Sequence, residues 1–333
     1  MATTIREIAK ELGVNISTVS RSLNNSPSVS AQTRDRVLEA ARRLGYRRDA
    51  RATALRTGKS GIIGVVVGDI VNPFFAQLAD SIEKKAQDLD LRLMIGNGGE
   101  DPHQQEQVVG TMMEQQIDGL LLTPAGTPTN TLRNYVKEIP TVAIDRSLAG
   151  ANVDTVLSED SPAVDELMKH VTRQGYRSAV VISGPATTST GLNRERLLSQ
   201  SLRDIGVKTR TYRTTYHEES GAEAIAQALR ENTPDIVLCA SAVITLGVIA
   251  GLHRHGLRVG EDVAIATFDK VPWLVTTMPS IAVIDTKIDE MADIAMQILR
   301  QRIGGNLGRP PLMKTVTSQL LLPAEPGAPH VTP

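Results

Sequence analysis

The stretch IREIAKELGVNISTVSRSLNN, residues 5–25, reads as two short helices joined by a tight turn, the second one polar on its outward side. Ile5, Ile8, Ala9 and Leu12 recur at three- and four-residue steps, Gly13 and Val14 break the run, and Val19 and Leu23 resume it four residues apart. Both apolar stripes therefore face one small core. Asn15 is placed to cap the second helix, which turns Ile16, Ser17, Ser20 and Arg21 outward, where a DNA major groove can receive them. Taken alone, such a helix pair is also what any small bundle shows.

Charge separates the two readings. Residues 1–60 hold 12 Lys and Arg against 5 Asp and Glu, a surplus of +7, whereas residues 61–333 hold 24 against 32, so the net −1 of the chain hides two oppositely charged parts. A small basic end tied to an acidic body is the footprint of a phosphate-binding module joined to something that is not one. A third helix follows, from Ser30 as cap through Val37, Leu38, Ala41 and Leu44 to a stop at Gly45. Residues 1–46 are thus expected to form a helix-turn-helix domain. The basic segment 47–60, RRDARATALRTGKS, is competent for a helix but too short to hold one alone, and is expected to be a linker or a helix ordered only by a partner.

From Ile62 the pattern changes. Apolar runs IIGVVV (62–67), LRLMI (91–95), GLLL (119–122), TVAI (141–144), AVVIS (179–183), DIVLCA (235–240), VAIATF (263–268) and IAVI (281–284) alternate with amphipathic helical stretches. Near-continuous apolar strands alternating with helices imply parallel sheets covered on both faces. About eight such units fit two doubly wound α/β subdomains over residues 61–322, with a ligand cleft outside the carboxyl ends of the strands. The last residues, 323–333, carry four prolines in PAEPGAPHVTP and are expected to be a disordered tail. The single cysteine, Cys239, excludes an internal disulfide, and its place in IVLC makes it a buried strand residue. No apolar stretch has the character of a signal peptide or reaches the roughly 20 residues of a membrane span, so a cytoplasmic protein without a membrane partner is expected.

Motifs for catalysis and for cofactors fail on inspection. Gly58-Lys59-Ser60 has Thr53 where a phosphate-binding loop needs its first glycine, and Gly96-Asn97-Gly98-Gly99 has Asp101 where a dinucleotide fingerprint needs its last. No nucleophile–base pattern, metal-ligand spacing or cofactor signature is present, so neither an enzyme nor a metal or cofactor is expected.

TIREIAKELGV followed by STVSRSLN, and then NPFF (72–75), DGLLL (118–122), IPTVAIDR (139–146), GLRVGEDVAI (256–265) and FD (268–269), resemble in order and spacing the lactose-repressor (LacI/GalR) family of bacterial transcription regulators. The resemblance spans residues 2–322. It implies that Ile16, Ser17 and Arg21 read base edges, that Thr4, Ser20, Asn24 and Ser28 hold phosphates, and that residues 49–56 form a hinge helix driving Leu55, with Ala52 beside it, into the minor groove. Arg48, Asp49 and Thr53 depart from the Pro, Asn and Arg common there. The resemblance further implies an effector domain similar to periplasmic sugar-binding proteins, with ligand positions at Phe74, Asp145, Arg194, Tyr216, Ser241, Asp269 and Trp273. Arg194 and Asp269 suit neighbouring hydroxyls, and Phe74 and Tyr216 offer faces on which a ring can stack. Ser241 and Ala242 replace a frequent Asn–Asp pair.

The expectation is a homodimeric regulator, a repressor by preference, that binds near-palindromic double-stranded operator DNA and senses a sugar, polyol or nucleoside-like metabolite. A tail without a leucine heptad speaks against a tetramer. The rival readings are a solute-binding protein of a transport system, a doubly wound enzyme, and a regulator controlled by a phosphoprotein corepressor.

Overall fold

Thr4 starts the first helix: its Oγ accepts from the Glu7 amide at 3.4 Å while Glu7 Oε2 accepts from the Thr4 amide at 2.7 Å, a reciprocal cap that satisfies two orphan donors. Helix α1 (Ile5–Leu12) ends at Gly13, whose φ of 65° lies in the left-handed region that favours glycine. Helix α2 (Ile16–Leu23) follows after Gly13, Val14 and Asn15, and α3 (Ala31–Arg43) starts on the Ser30 hydroxyl, which accepts from the Thr33 amide at 3.3 Å. Ile8, Ala9, Val19, Val37, Ala40 and Ala41 close a core between the three helices, with Ile5, Leu12, Val14, Leu23, Leu44 and Tyr46 around it. The computed structural model describes residues 3–23, 26–46, 58–305 and 309–323, and the chain divides into two compact units, Met1–Ser60 and Gly61–Pro333.

In the larger unit the described residues form two six-stranded sheets of matching order. The strands are β1 (Ile62–Val67), β2 (Arg92–Asn97), β3 (Gly119–Leu122), β4 (Thr141–Ile144), β5 (Asp154–Glu159), β6 (Ser178–Ser183), β7 (Lys208–Arg213), β8 (Ile236–Cys239), β9 (Ala264–Phe268), β10 (Ala282–Asp285), β11 (Met313–Thr317) and β12 (Gln319–Leu321). The first sheet runs β11-β5-β4-β3-β1-β2 and the second β12-β10-β9-β8-β6-β7, all parallel except β12 against β10. Each sheet thus reverses its winding between its first and third strands, where a crevice opens at the strand ends. Continuous burial of Ile63 and Val65–Val67, of Leu120–Leu122 and of Val180–Ile182 is what the unbroken apolar runs anticipate for strands covered on both faces.

The connecting helices are α4 (Pro73–Gln87), α5 (Pro102–Glu114), α6 (Asn130–Glu138), α7 (Ser161–Gln174), α8 (Ser189–Asp204), α9 (Glu218–Leu229), α10 (Ala242–Arg254), α11 (Pro272–Thr277) and α12 (Ile288–Ile303). Among the described residues the chain passes between the two subdomains three times, at Asp160, between Asp285 and Ile288, and at Ser318. Side chains tie these crossovers together. Ser318 Oγ donates to Asp160 Oδ1 at 2.6 Å, and Lys287 Nζ to Gln319 Oε1 at 2.5 Å. Arg302 holds Asp154 through two bonds of 2.7 Å and also donates to the Arg309 and Pro310 carbonyls, which fixes the approach to β11. Cys239 is fully buried in β8, where burial pushes its thiol up to about 12 and leaves it unreactive.

Candidate functional site

Two regions carry chemistry, one in each unit. In the smaller unit the Asn15 carbonyl opens α2 by accepting from the Thr18 and Val19 amides at 2.9 and 3.1 Å. Val19 and Ser22 then point inward, while Ile16, Ser17 and Arg21 stand on the exposed side and Ser20 is half-buried beside them. Ile16 is 45% exposed, which an apolar contact in a groove would relieve. Thr4 is exposed, and its amide and hydroxyl both donate to Glu7 Oε2, at 2.7 and 3.3 Å, so a phosphate there has to compete with the α1 cap for its donors. Ser28 is exposed, its Oγ 2.9 Å from that of Ser26. Asn24, Ala52 and Leu55, and with them the expected hinge helix and the tail, lie outside the described residues.

In the larger unit the carboxyl ends of the strands bring charged side chains together. Asp145 directly follows β4 and Asp269 directly follows β9, the equivalent strands of the two sheets. Both have left-handed backbone, φ 67° and 72°, and each donates its amide to the neighbouring strand, to Val156 O at 2.9 Å and to Ile284 O at 3.1 Å. Aspartate tolerates this region better than most residues, and both equivalent positions use it.

Arg194, on α8, is buried and donates from Nη1 to Ala240 O at 2.8 Å and to Asp269 Oδ1 at 3.3 Å. Its Nε lies 3.6 Å from Asp160 Oδ2, and its guanidinium sits 4.2 Å over the Phe268 ring. Arg146, adjacent to Asp145, makes a bidentate pair with Glu100 at 2.5 and 2.9 Å and donates to Pro124 O at 3.2 Å. Burial works against the charge of both arginines, but the facing carboxylates overcome it and hold them protonated, Glu100 for Arg146 and Asp269 for Arg194. Among the described residues three of their buried donors have no hydrogen-bond partner: Arg194 Nε, Arg194 Nη2 and Arg146 Nε. Unmatched donors of this kind are costly, and a ligand oxygen is the natural partner.

The other expected positions do not all converge. Tyr216 is buried, its hydroxyl within 3.2 Å of both Thr188 Oγ1 and Thr190 Oγ1, and the Arg146 guanidinium stacks 4.9 Å from its ring. One face of the Tyr216 ring is therefore already covered. Phe74 is buried in the apolar cluster of the first subdomain, edge-on to Phe75 at 5.2 Å, so packing accounts for its ring. Packing thus takes up the Phe74 ring and Arg146 one face of the Tyr216 ring in the structure as it stands. Ser241 is buried and uses its hydroxyl to cap α10, accepting from the Ile244 amide at 3.3 Å. Trp273 is half-buried against the cluster of the second subdomain. A groove of about 630 Å³ opens beside Asp145 and Arg194 and follows α8 past Asn193, Arg196 and Gln200. Sequence reasoning passed over Arg146, Glu100 and Asp160. Arg146 had a signal in its place directly after Asp145.

Burial pushes Asp145 up to about 6 from an ordinary 3.8; Arg146 and Arg194 oppose this, and Asp269 and Asp160 add to it. Asp269 is raised by burial as well, against the pull of Arg194. The folded chain therefore holds the Asp145 proton more tightly than the unfolded one, and that contribution is present at low pH and lost as pH rises through about 6. Asp145→Asn is expected to be more stable than the parent at pH 7, by about 2–3 kcal/mol, with the difference vanishing near pH 4. Urea melts from pH 4 to 8 measure this, and parallel curves for the two proteins would contradict it.

Residues 4–49 match the family model described as bacterial regulatory proteins, lacI family, and residues 60–320 that of periplasmic binding proteins and the sugar binding domain of the LacI family. Among curated proteins the chain is 30% identical over 265 residues to the maltose regulon regulatory protein MalI of Escherichia coli (strain K12), covering 78% of each. It is 27% identical over 303 residues to the ribose operon repressor of Halalkalibacterium halodurans, covering 90% of each. The structure superposes on that of the lac repressor dimer bound to operator and the anti-inducer ONPF with a TM-score of 0.82 at 19% identity, covering 96% of this chain and 98% of the other. With both units matched in their expected order, the basic helix-turn-helix and the paired α/β subdomains are the two halves of one regulator, and the chain belongs to the lacI family of bacterial regulatory proteins.

Proposed function

We propose that this chain is a sequence-specific repressor that binds a near-palindromic operator as a homodimer and is controlled by a small polyhydroxylated metabolite, a sugar, polyol or nucleoside-like compound, in the cleft between its α/β subdomains. The observation that carries the reading is the meeting of Arg194 and Asp269 at the strand ends, with buried guanidinium donors left unmatched beside them. Names among the relatives, a ribose operon repressor and a maltose regulon regulator, support a sugar-like effector, and a lac repressor dimer on operator supports the dimer. The regulator acts without catalysis and in the cytoplasm, where its DNA target lies; no helix among the described residues is long and apolar enough to cross a membrane.

Sequence reading falls to α2. Arg21 is exposed and can donate bidentately to guanine, Ser17 can bond several bases, and Ile16 suits a thymine methyl. Arg21→Ala is expected to cost about 1–3 kcal/mol on a site selected in vitro from random DNA, and far less on unselected DNA. Titrating the full chain against both at one salt concentration tests this; equal losses would reduce Arg21 to a phosphate contact. For the effector, a ligand bound only by the folded state raises the melting temperature with the logarithm of its concentration. The full chain should respond in a thermal-shift screen of sugars, polyols and nucleosides, and the responding compound should alter DNA affinity. A screen with no response, alongside a partner protein that alone alters DNA affinity, would replace the effector with a corepressor.

A further inference from the structure

Four carboxylates and two guanidiniums meet around the cleft residues: Glu100, Asp145, Asp160 and Asp269 against Arg146 and Arg194. Nearby cations do not redress the balance. Lys270, next in the chain to Asp269, and Lys287 both turn to Asp285, at 3.6 and 3.3 Å. Along the adjoining groove Glu159 and Asp204 outnumber Arg196. A ligand entering here meets a surplus of carboxylates over guanidiniums, and beside the buried Asp145, Asp269 and Arg194 water screens charge least.

Hydrogen-bond capacity points the same way. Arg194 Nε, Arg194 Nη2 and Arg146 Nε are donors awaiting an acceptor. Asp145 is an acceptor in waiting: the nearest cation, Arg146 Nε, stands 3.5 Å away, and no hydrogen bond reaches its carboxylate among the described residues. Asp269 is engaged by Arg194 at 3.3 Å and by the Ala242 amide. A group that serves both sets from one position must accept from N–H and donate to carboxylate. A hydroxyl does both, whereas a phosphate dianion or a carboxylate only accepts and an ammonium only donates. Arg146 cannot be recruited cheaply for a phosphate, because Glu100 already occupies its fork from both nitrogens.

We propose that the cleft admits an uncharged polyhydroxylated ligand and rejects the phosphate ester of the same compound. The proposal rests on the cleft being the effector site, and it deepens that reading by fixing the charge of the ligand. A phosphate brings a charge of about −1.5 to −2 at neutral pH into a site whose own groups already sum to the same sign. Like charges placed together in this way are expected to weaken binding by at least about 100-fold. Asp160 is the carboxylate whose removal should relax the rejection most cleanly, since asparagine can keep the bond from Ser318 while shedding the charge beside Arg194.

The experiment is calorimetric titration of the full chain with matched pairs: D-ribose and ribose 5-phosphate, D-glucose and glucose 6-phosphate, D-fructose and fructose 1-phosphate, ribitol and ribitol 5-phosphate. A measurable dissociation constant for an uncharged member, with its phosphate ester at least about 100-fold weaker, is the expected result. Asp160→Asn should then narrow that ratio at least about fivefold, chiefly by improving the ester. An ester that binds as tightly as its parent, or more tightly, overturns the proposal and leaves the effector reading standing. Silence from both members of every pair, with the DNA-binding unit intact, overturns the proposal together with the polyhydroxylated effector it rests on.

Discussion

Arg194→Ala is expected to destabilise the folded chain by about 3–5 kcal/mol at neutral pH and to abolish the response to effector. Asp269, which is 3% exposed, would lose the cation that faces it at 3.3 Å, and Ala240 O would lose its donor. A buried carboxylate stripped of its partner has one escape, which is to take up a proton. Asp269 already leans that way, raised by burial against the pull of Arg194. In the variant its folded pKa rises further above the unfolded one, and a group of that kind adds stability at low pH that is lost as pH rises through the folded value. The deficit should therefore be small near pH 4 and full by pH 8. Melts of parent and variant across that range decide the matter, and a deficit that does not change with pH would show that the guanidinium acts through packing on Phe268 and not through charge.

Gly247→Ala is the second large effect, and it tests packing and not the site. Helices α9 and α10 approach so closely that an added Cβ at Gly247 would stand 1.9 Å from Glu218 O and 2.8 Å from the Ala222 amide nitrogen. Both atoms are backbone, so no side chain can rotate aside and the helices themselves must part. Overpacking in a filled core ordinarily costs about 1–3 kcal/mol, and this case belongs at or beyond the upper end. Gly221, with Ile244 O at 2.5 Å from its virtual Cβ, is the reciprocal contact from α9. Chemical denaturation of Gly247→Ala should show a loss of about 3 kcal/mol or more with DNA reading by the smaller unit retained. A loss under about 1 kcal/mol would mean that the helices separate easily.

What was legible in the sequence divides along physical lines. The helix pair and the central strands stood out because burial imposes a period: 3.6 residues on α1 and α2, and unbroken apolar runs on β1, β3 and β8. Strands β5, DTVLSE, and β7, KTRTYR, were missed because only part of their surface is buried, and β7 ends its sheet with charged residues turned outward. Helix α8 starts at Ser189 on the Thr188 cap, in a polar first turn that no apolar run announces. Asp269 could be named in advance from the FD block, and Arg194 from the ligand positions that the resemblance implies. The pairing of Arg146 with Glu100, 46 positions away, and of Asp160 with Ser318, 158 away, has no local pattern that would reveal it. Nor does a sequence distinguish an aromatic ring that packs, as Phe74 does, from one that receives a ligand.

The central claim is that one chain reads a DNA sequence and that cleft occupancy changes the reading. The most direct measurement selects binding sites for the full chain from random DNA, then titrates the selected site with and without an uncharged sugar or polyol that raises the melting temperature. A near-palindromic site bound by two chains is expected to be enriched, with an affinity that changes by at least about fivefold when the compound saturates the cleft. Failure to enrich any sequence, or an enriched site whose affinity is the same with the cleft filled and empty, would contradict it.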